Sequence, residues 1–106
     1  MKIDLALRQT RSRRGTILKL IRQGHEEQLS KYYDGALAGV LLDMAIPMGI
    51  FQLLTMLQDL CVLGYIAYDR AWDVDLGRYR LENIILTPVG LRFVDRKQSN
   101  EDVAFD

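Results

Sequence analysis

Apolar side chains recur at helical spacing in the first quarter of the chain. Ile17, Leu18 and Ile21 fall on one face of a predicted helix over Ser12–Gln23. This helix begins with serine, a preferred N-cap residue, and Gly24 follows it at a position where helices commonly end. The polar stretch after Gly24 is therefore predicted to be a connection to the next element.

Two further helices are predicted on either side of a proline. The apolar stripe of the second helix consists of Tyr33, Leu37, Leu41 and Met44. Pro47 disfavours helical dihedral angles at the residue before it, so this helix is expected to end near Ala45. A third helix is predicted from Gly49 to Val62, closed by Gly64, and its inward stripe consists of Leu53, Leu57 and Leu60.

After the third helix the pattern changes from helical to alternating. Tyr65–Asp73 and Arg78–Leu86 are rich in β-branched and aromatic residues, and a short loop containing Gly77 separates them. This pattern predicts a β-hairpin. A fourth helix over Pro88–Arg96 is predicted next, because Thr87 is a good N-cap and proline is favoured at the first helical position.

These elements predict one α+β domain, mainly α-helical, over residues 12–96. Residues 1–11 are interpreted as a short lead, and the polar tail 97–106 is expected to be disordered. The residues expected to form the core are Ile17, Leu18, Ile21, Leu37, Leu41, Leu53, Leu57, Leu60, Ile66, Leu81, Leu86 and Phe93.

Composition narrows the class of protein. The 106 residues are enough for one domain, and a hydrophobic content of 49% is enough to form a core. The longest uncharged run, Met44–Gln58, contains proline and polar residues, so no membrane span is expected. The first residues do not resemble a signal peptide, and the single cysteine, Cys61, excludes an internal disulfide. Together these features predict a cytoplasmic protein.

The charge is balanced overall but not along the chain. Lys and Arg number 14 and so do Asp and Glu, yet residues 1–31 carry eight basic and three acidic side chains. Arg11, Arg13 and Arg14 lie together near the start of the predicted first helix, where the helix dipole disfavours cations. Either an anionic partner or acidic residues of the same chain can compensate them, and the sequence leaves both open.

Two short motifs resemble the winged helix-turn-helix superfamily, most nearly its MarR-like and PadR-like members. Leu57, Leu60 and Gly64-Tyr65-Ile66 look like the junction between recognition helix and first wing strand in that family. Leu86-Thr87-Pro88, followed by Gly90, looks like the start of the helix after the wing. The resemblance implies a three-helix bundle, a two-stranded hairpin wing and a C-terminal helix.

The resemblance also implies binding of double-stranded DNA by a small transcriptional regulator. A homodimer is expected only on the basis of apolar residues that the third helix exposes. The third helix would lie in the major groove, and the hairpin would contact the backbone or the minor groove. Such binding would weaken steeply as the salt concentration rises. The candidate nucleic-acid-binding residues are Arg11, Arg13, Arg14, Gln52, Thr55, Gln58, Arg70, Arg78 and Arg80.

An alternative function is a protein-protein interaction module that uses the same helix. Between Lys31 and Arg70 the chain has no Lys or Arg, so the third helix carries no cation for phosphate. Its outer face instead includes apolar side chains, which favour a protein partner or a second copy. The candidate protein-interface residues are Ile50, Phe51, Leu54 and Trp72, the last near the hairpin tip.

Catalysis, metal binding and cofactors are not indicated. The single histidine, His25, lies beside two glutamates in a polar stretch, and Cys61 lies among apolar residues of the third helix. No Cys/His cluster has the spacing of zinc ligands, and the dispersed glycines form no phosphate-binding loop. We therefore expect a protein that is not an enzyme and that binds no cofactor and no metal.

Overall fold

Four helices and one hairpin make up the part of the chain that the computed structural model describes, residues 2–26 and 33–105. The elements are α1 (Lys2–Glu26), α2 (Asp34–Asp43), α3 (Ile50–Val62), β1 (Ile66–Asp73), β2 (Arg78–Leu86) and α4 (Pro88–Arg96). The two strands are antiparallel neighbours. The fold is thus α+β and mainly helical, and its order of elements is compatible with a winged-helix layout.

The first helix is longer than the sequence pattern predicted. It begins at Lys2 rather than Ser12 and continues through Gly24 to Glu26. Seven of the ten residues 2–11 are good helix formers (Lys, Leu, Ala, Arg or Gln), and their propensity extends the helix beyond the apolar stripe. Ser12 is not an N-cap but lies mid-helix, where its carbonyl accepts the hydroxyl hydrogen bond of Thr16. The interpretation of residues 1–11 as a separate lead was therefore wrong for residues 2–11, and Met1 lies outside the described residues.

Eleven of the twelve predicted core residues are buried, and Phe93 is the exception. Phe93 is half-buried and stacks on Tyr65, with ring centroids 4.4 Å apart.

A register shift between Ala67 and Asp69 accompanies a left-handed Asn83. This irregularity breaks the alternation of β2 and turns Ile84 inward. The buried apolar residues that the sequence analysis did not include are Leu20, Met56, Ile84, Val94 and Val103.

The helices α2 and α3 end in the same hydrogen-bonded turn but with different residues. After α3, Gly64 has a φ of +87°, and the amide of Tyr65 donates to the carbonyl of Leu60 at 3.0 Å. After α2, Ala45 occupies the equivalent left-handed position with a φ of +58°. Both turns follow the Schellman pattern, in which glycine is the preferred left-handed residue.

The chain between β2 and α4 is fixed against the end of α3. Thr87 accepts a hydrogen bond from the amide of Gly90 at 3.0 Å, which confirms it as the N-cap of α4. The Thr87 hydroxyl also donates to the carbonyl of Gly64, and the Thr87 amide donates to that of Tyr65. A Cβ atom on Gly90 would lie 1.9 Å from the Tyr65 oxygen, so only glycine permits this close approach.

The C-terminal segment, residues 97–105, packs on α1, so the expectation of a disordered tail was wrong for these residues. Val103 is fully buried, and the amide of Ala104 donates to the carbonyl of Arg11 at 3.1 Å. Gly15 makes room for the crossing, since a Cβ atom there would lie 2.0 Å from the Ala104 oxygen. Isolated apolar residues such as Val103 give no periodic signal in a sequence, and Asp106 lies outside the described residues.

Candidate nucleic-acid interface

The outward face of α3 displays polar side chains capable of contacting base edges. Leu53, Leu57 and Leu60 are buried as predicted, which turns the opposite side of the helix to solvent. Gln52, Thr55 and Gln58 are all exposed on that side. Thr55 donates its hydroxyl proton to the carbonyl of Phe51 at 3.0 Å, which leaves its oxygen lone pairs available to an incoming donor.

The apolar candidates on α3 divide into two groups. Ile50 and Leu54 are half-buried and pack against the core. Phe51 has 72% of its surface exposed, beside the polar row. Trp72 on the hairpin is 57% exposed and meets Tyr79 edge to face, with ring centroids 5.2 Å apart. Phe51 and Trp72 are therefore the two predicted interface residues that present a large apolar surface to solvent.

The three arginines of the hairpin have different environments. Arg78 donates to the buried carboxylate of Asp34 at 3.0 Å. Arg80 pairs with Asp73 at 3.3 Å and with a second carboxylate on its own strand. Arg70 is exposed, and its guanidinium carbon lies 5.6 Å from the centre of the Tyr79 ring. Of the three, Arg70 is the one without a carboxylate partner among the described residues.

Arg11 and Arg14 both donate hydrogen bonds to acceptors within the described part of the chain. Arg14 pairs with the Asp59 carboxylate of α3 at 3.1 Å and donates to the carbonyl of Asp102 at the same distance. Arg11 donates to the carbonyl of Asn100. An acidic residue of the same chain, Asp59 of α3, thus compensates Arg14, whereas Arg11 has a backbone carbonyl of the C-terminal segment as its acceptor and no carboxylate partner among the described residues.

Arg13 points to a different side of α1 from Arg11 and Arg14. It lines an open cleft between α1 and the turn before α3, together with Arg8 and Ser12. Among the described residues no hydrogen bond or ion pair uses its guanidinium group. The structure therefore separates Arg13 from the two neighbours with which the sequence grouped it.

A buried carboxylate on α2 was missed by the sequence analysis. Asp34 is 1% exposed and accepts hydrogen bonds from the Arg78 side chain and from the Leu81 amide, each at 3.0 Å. It therefore fixes the hairpin against the bundle. An aspartate at the start of a predicted helix resembles an ordinary first-turn residue, so only its partner 44 positions away reveals its role.

Tyr68 of the hairpin and Cys61 of α3 interact through their side chains. Burial raises the pKa of Tyr68 above its ordinary value of 10.0, and the adjacent Cys61 thiol adds to this increase. The phenol therefore remains neutral at physiological pH. Cys61 is half-buried at this contact.

The remaining chemistry of the described residues is limited. No group of three potential metal-ligating side chains comes together within residues 2–26 and 33–105. In the same part of the chain, no helix has both the length and the apolar character needed to cross a bilayer. The side chain of His25 lies outside the described residues.

Comparisons with protein-family models, with curated proteins and with solved structures found no match to the chain.

Proposed function

We propose that this protein binds double-stranded DNA as a winged helix-turn-helix regulator, with α3 as the recognition helix and the hairpin as the wing. The observation that carries the proposal is the exposed row of Gln52, Thr55 and Gln58 on a helix preceded by a short turn and followed by a β-hairpin. Amide and hydroxyl groups supply the donors and acceptors that read base edges in the major groove.

The dimensions of α3 suit that role. Its 13 residues span about 20 Å, and a helix of this width enters the major groove. Residues three apart are neighbours on a helix surface, so Thr55 lies between Gln52 and Gln58 on the exposed part of α3. On the wing, Arg70 is the exposed arginine without a carboxylate partner among the described residues. We therefore assign the phosphate contact of the wing to Arg70.

The internal ion pairs change the expected salt dependence. Arg14, Arg78 and Arg80 already have carboxylate partners, so few cations per subunit remain to displace counterions from phosphate. One or two phosphate contacts give a slope of log K against log salt of about −1 to −2 per subunit. Binding by a homodimer would double both the contacts and the slope, and two half-sites would lie about 34 Å apart.

Fluorescence anisotropy with a labelled pool of random duplexes at low salt tests the proposal. We expect binding by the native chain, and a loss of about tenfold or more in affinity for a selected site in Gln52→Ala/Gln58→Ala. Gln98→Ala, which changes an exposed glutamine of the C-terminal segment, is the matched control and should bind normally. If the folded native protein binds no duplex at low salt, the proposal is wrong.

Docking of a protein on α3 is the second candidate, and the exposure of Phe51 is the observation that favours it. Phe51→Asp places a charge at this position, whereas Val62→Asp places one at the other end of α3 on a side chain that is 81% exposed. Sedimentation equilibrium should show that self-association is abolished in Phe51→Asp and retained in Val62→Asp. Equal association of both variants and the native chain would exclude this role for Phe51.

A further inference from the structure

An open cleft of about 400 Å³ lies between α4 and the chain that follows it. Helix α4 ends at Lys97, whose left-handed φ of +52° bends the chain away from the helix axis. Residues 98–100 then form the second wall of the cleft, and Tyr65 also lines it. The cleft is on a different part of the molecule from the exposed polar row of α3.

The second wall is held in one conformation by Asn100. Its side-chain oxygen accepts hydrogen bonds from the amides of Asp102 and Val103, each at 2.8 Å. Its side-chain nitrogen donates to the hydroxyl oxygen of Tyr65 at 3.1 Å. The cleft is therefore preformed, which reduces the conformational entropy that a bound partner must remove.

The wall that belongs to α4 is positively charged. Arg92 and Arg96 are four residues apart, so they share one side of the helix, and both are exposed and line the cleft. Among the described residues, neither takes part in an ion pair. The carboxylate of Asp95 pairs instead with Arg22 at 3.0 Å, and the lining of the cleft contains no Asp or Glu. Two arginines without a carboxylate are suited to bind anionic groups of a partner.

Two hydroxyl groups add donors to the same lining. The hydroxyl oxygen of Ser99 accepts a hydrogen bond from the amide of Phe105 at 2.9 Å, and that of Tyr65 accepts the bond from Asn100. Each hydroxyl also carries one proton, which no acceptor among the described residues receives. Both groups can therefore donate to an incoming anion.

An apolar side chain lies beside the arginines. Val89 is 50% exposed and lines the cleft, three residues before Arg92 and seven before Arg96, so the three share one face of α4. The backbone of a nucleic acid would satisfy the arginines but would offer Val89 little apolar surface. A peptide carries carboxylates and apolar side chains together, so the combined lining favours a peptide.

We propose that this cleft docks an extended acidic segment of a partner protein. Two carboxylates of the segment contact Arg92 and Arg96, and an apolar side chain packs on Val89. The arginines are about 6 Å apart along the helix axis, and alternate side chains of an extended peptide are about 7 Å apart on one face. Two glutamates separated by one residue therefore match the arginines. This inference goes beyond DNA binding by α3 and does not rest on it.

Nuclear magnetic resonance of the uniformly ¹⁵N-labelled full chain tests the proposal, with the end-blocked peptide Leu-Ser-Glu-Ser-Glu as the probe. We expect saturable shifts of the Arg92 and Ser99 amides, one on each side of the cleft, with a dissociation constant on the order of 1 mM. A peptide with glutamine in place of both glutamates should bind at least about tenfold more weakly. A peptide with serine in place of leucine should bind about threefold more weakly.

Two variants locate the site. Arg92→Gln/Arg96→Gln should weaken binding of the acidic peptide about tenfold or more, because it removes both charged donors. Arg8→Gln makes the same replacement at an exposed arginine of α1 and should leave the affinity unchanged. The dispersed amide spectrum of each variant reports that it is folded.

Four results would each overturn the proposal. They are the absence of saturable shifts, equal binding of the acidic peptide and either control peptide, and equal affinity of the two variants for the acidic peptide. The fourth is a shift of the same amides by a short DNA duplex at an affinity equal to or above that of the peptide, which would assign the cleft to nucleic acid.

Discussion

The two ends of α3 differ in how tightly the rest of the chain holds them. At the C-terminal end, Gly64 and Tyr65 receive hydrogen bonds from Thr87, and the backbone of Gly90 lies against the Tyr65 carbonyl. At the N-terminal end, Gly49 provides no side-chain cap, and the side chain of Phe51 lies largely in solvent. One end is therefore a structural junction, and the other is a free surface.

This difference separates residues that specify the fold from residues available for binding. The two motifs that resemble winged-helix proteins, around Gly64 and around Thr87, contact each other at the junction. Their residue types are explained by close approach and left-handed backbone, so they carry information about the fold. The proposed function depends instead on exposed polar side chains of α3: Gln52 and Thr55 precede the first motif, and Gln58 lies between its two leucines without being one of its defining residues.

The largest change in the free energy of unfolding is expected from Gly90→Ala at the junction. The added Cβ atom would lie 1.9 Å from a backbone oxygen, so α4 must move away from Tyr65. We expect a loss of about 3 kcal/mol in the free energy of unfolding, measured by urea denaturation. Gly39→Ala is the matched control, since its Cβ meets nothing within 4 Å on α2 and should stabilise the helix. Similar stability of the Gly90 variant and the native protein would show that the junction is not tightly packed.

Smaller changes in stability are expected at the two Schellman turns, with a loss at one turn and a gain at the other. Gly64→Ala forces a Cβ into the left-handed region and should cost about 1 to 2 kcal/mol. Ala45→Gly removes the same strain and should stabilise the protein by about 0.5 to 1 kcal/mol. Thermal unfolding of the two single variants checks both signs. Shifts of the same sign would contradict the equivalence of the turns.

The smallest change in stability is expected at the free end. Phe51→Ala removes a ring with 72% of its surface in solvent, so the free energy of unfolding should change by less than about 0.5 kcal/mol. The same substitution is expected to alter binding or self-association, which sedimentation and anisotropy measure separately. A large loss of stability would instead place Phe51 within the core and remove the contrast between the two ends.

The sequence predicted the region from α3 to α4 to within one residue, because strong local signals mark each boundary there. Glycine after α3, the loop of the hairpin and the Thr87 cap act through neighbouring residues. The beginning of α1 and the C-terminal segment were predicted wrongly. Their structure depends on helix propensity without an apolar stripe, and on a contact between distant positions at Gly15 and Ala104.

The candidate site, like the fold, was predictable only in part. The exposure of Gln52, Thr55 and Gln58 follows directly from the leucine stripe on the opposite side of α3. The engagement of Arg14 and Arg78 does not, because their carboxylate partners lie 45 and 44 positions away in the chain. Spacing identifies a helix face, but it does not identify the ion pairs formed between elements.

The docking of the C-terminal segment on α1 has a consequence for the order in which the molecule can form. Arg11 and Asn100 are 89 positions apart, so the partner of the first helix is synthesised long after the helix itself. Contacts between such distant positions slow folding, because a large loop must close before they are made. During synthesis the Gly15 side of α1 therefore stays uncovered until Ala104 has left the exit tunnel.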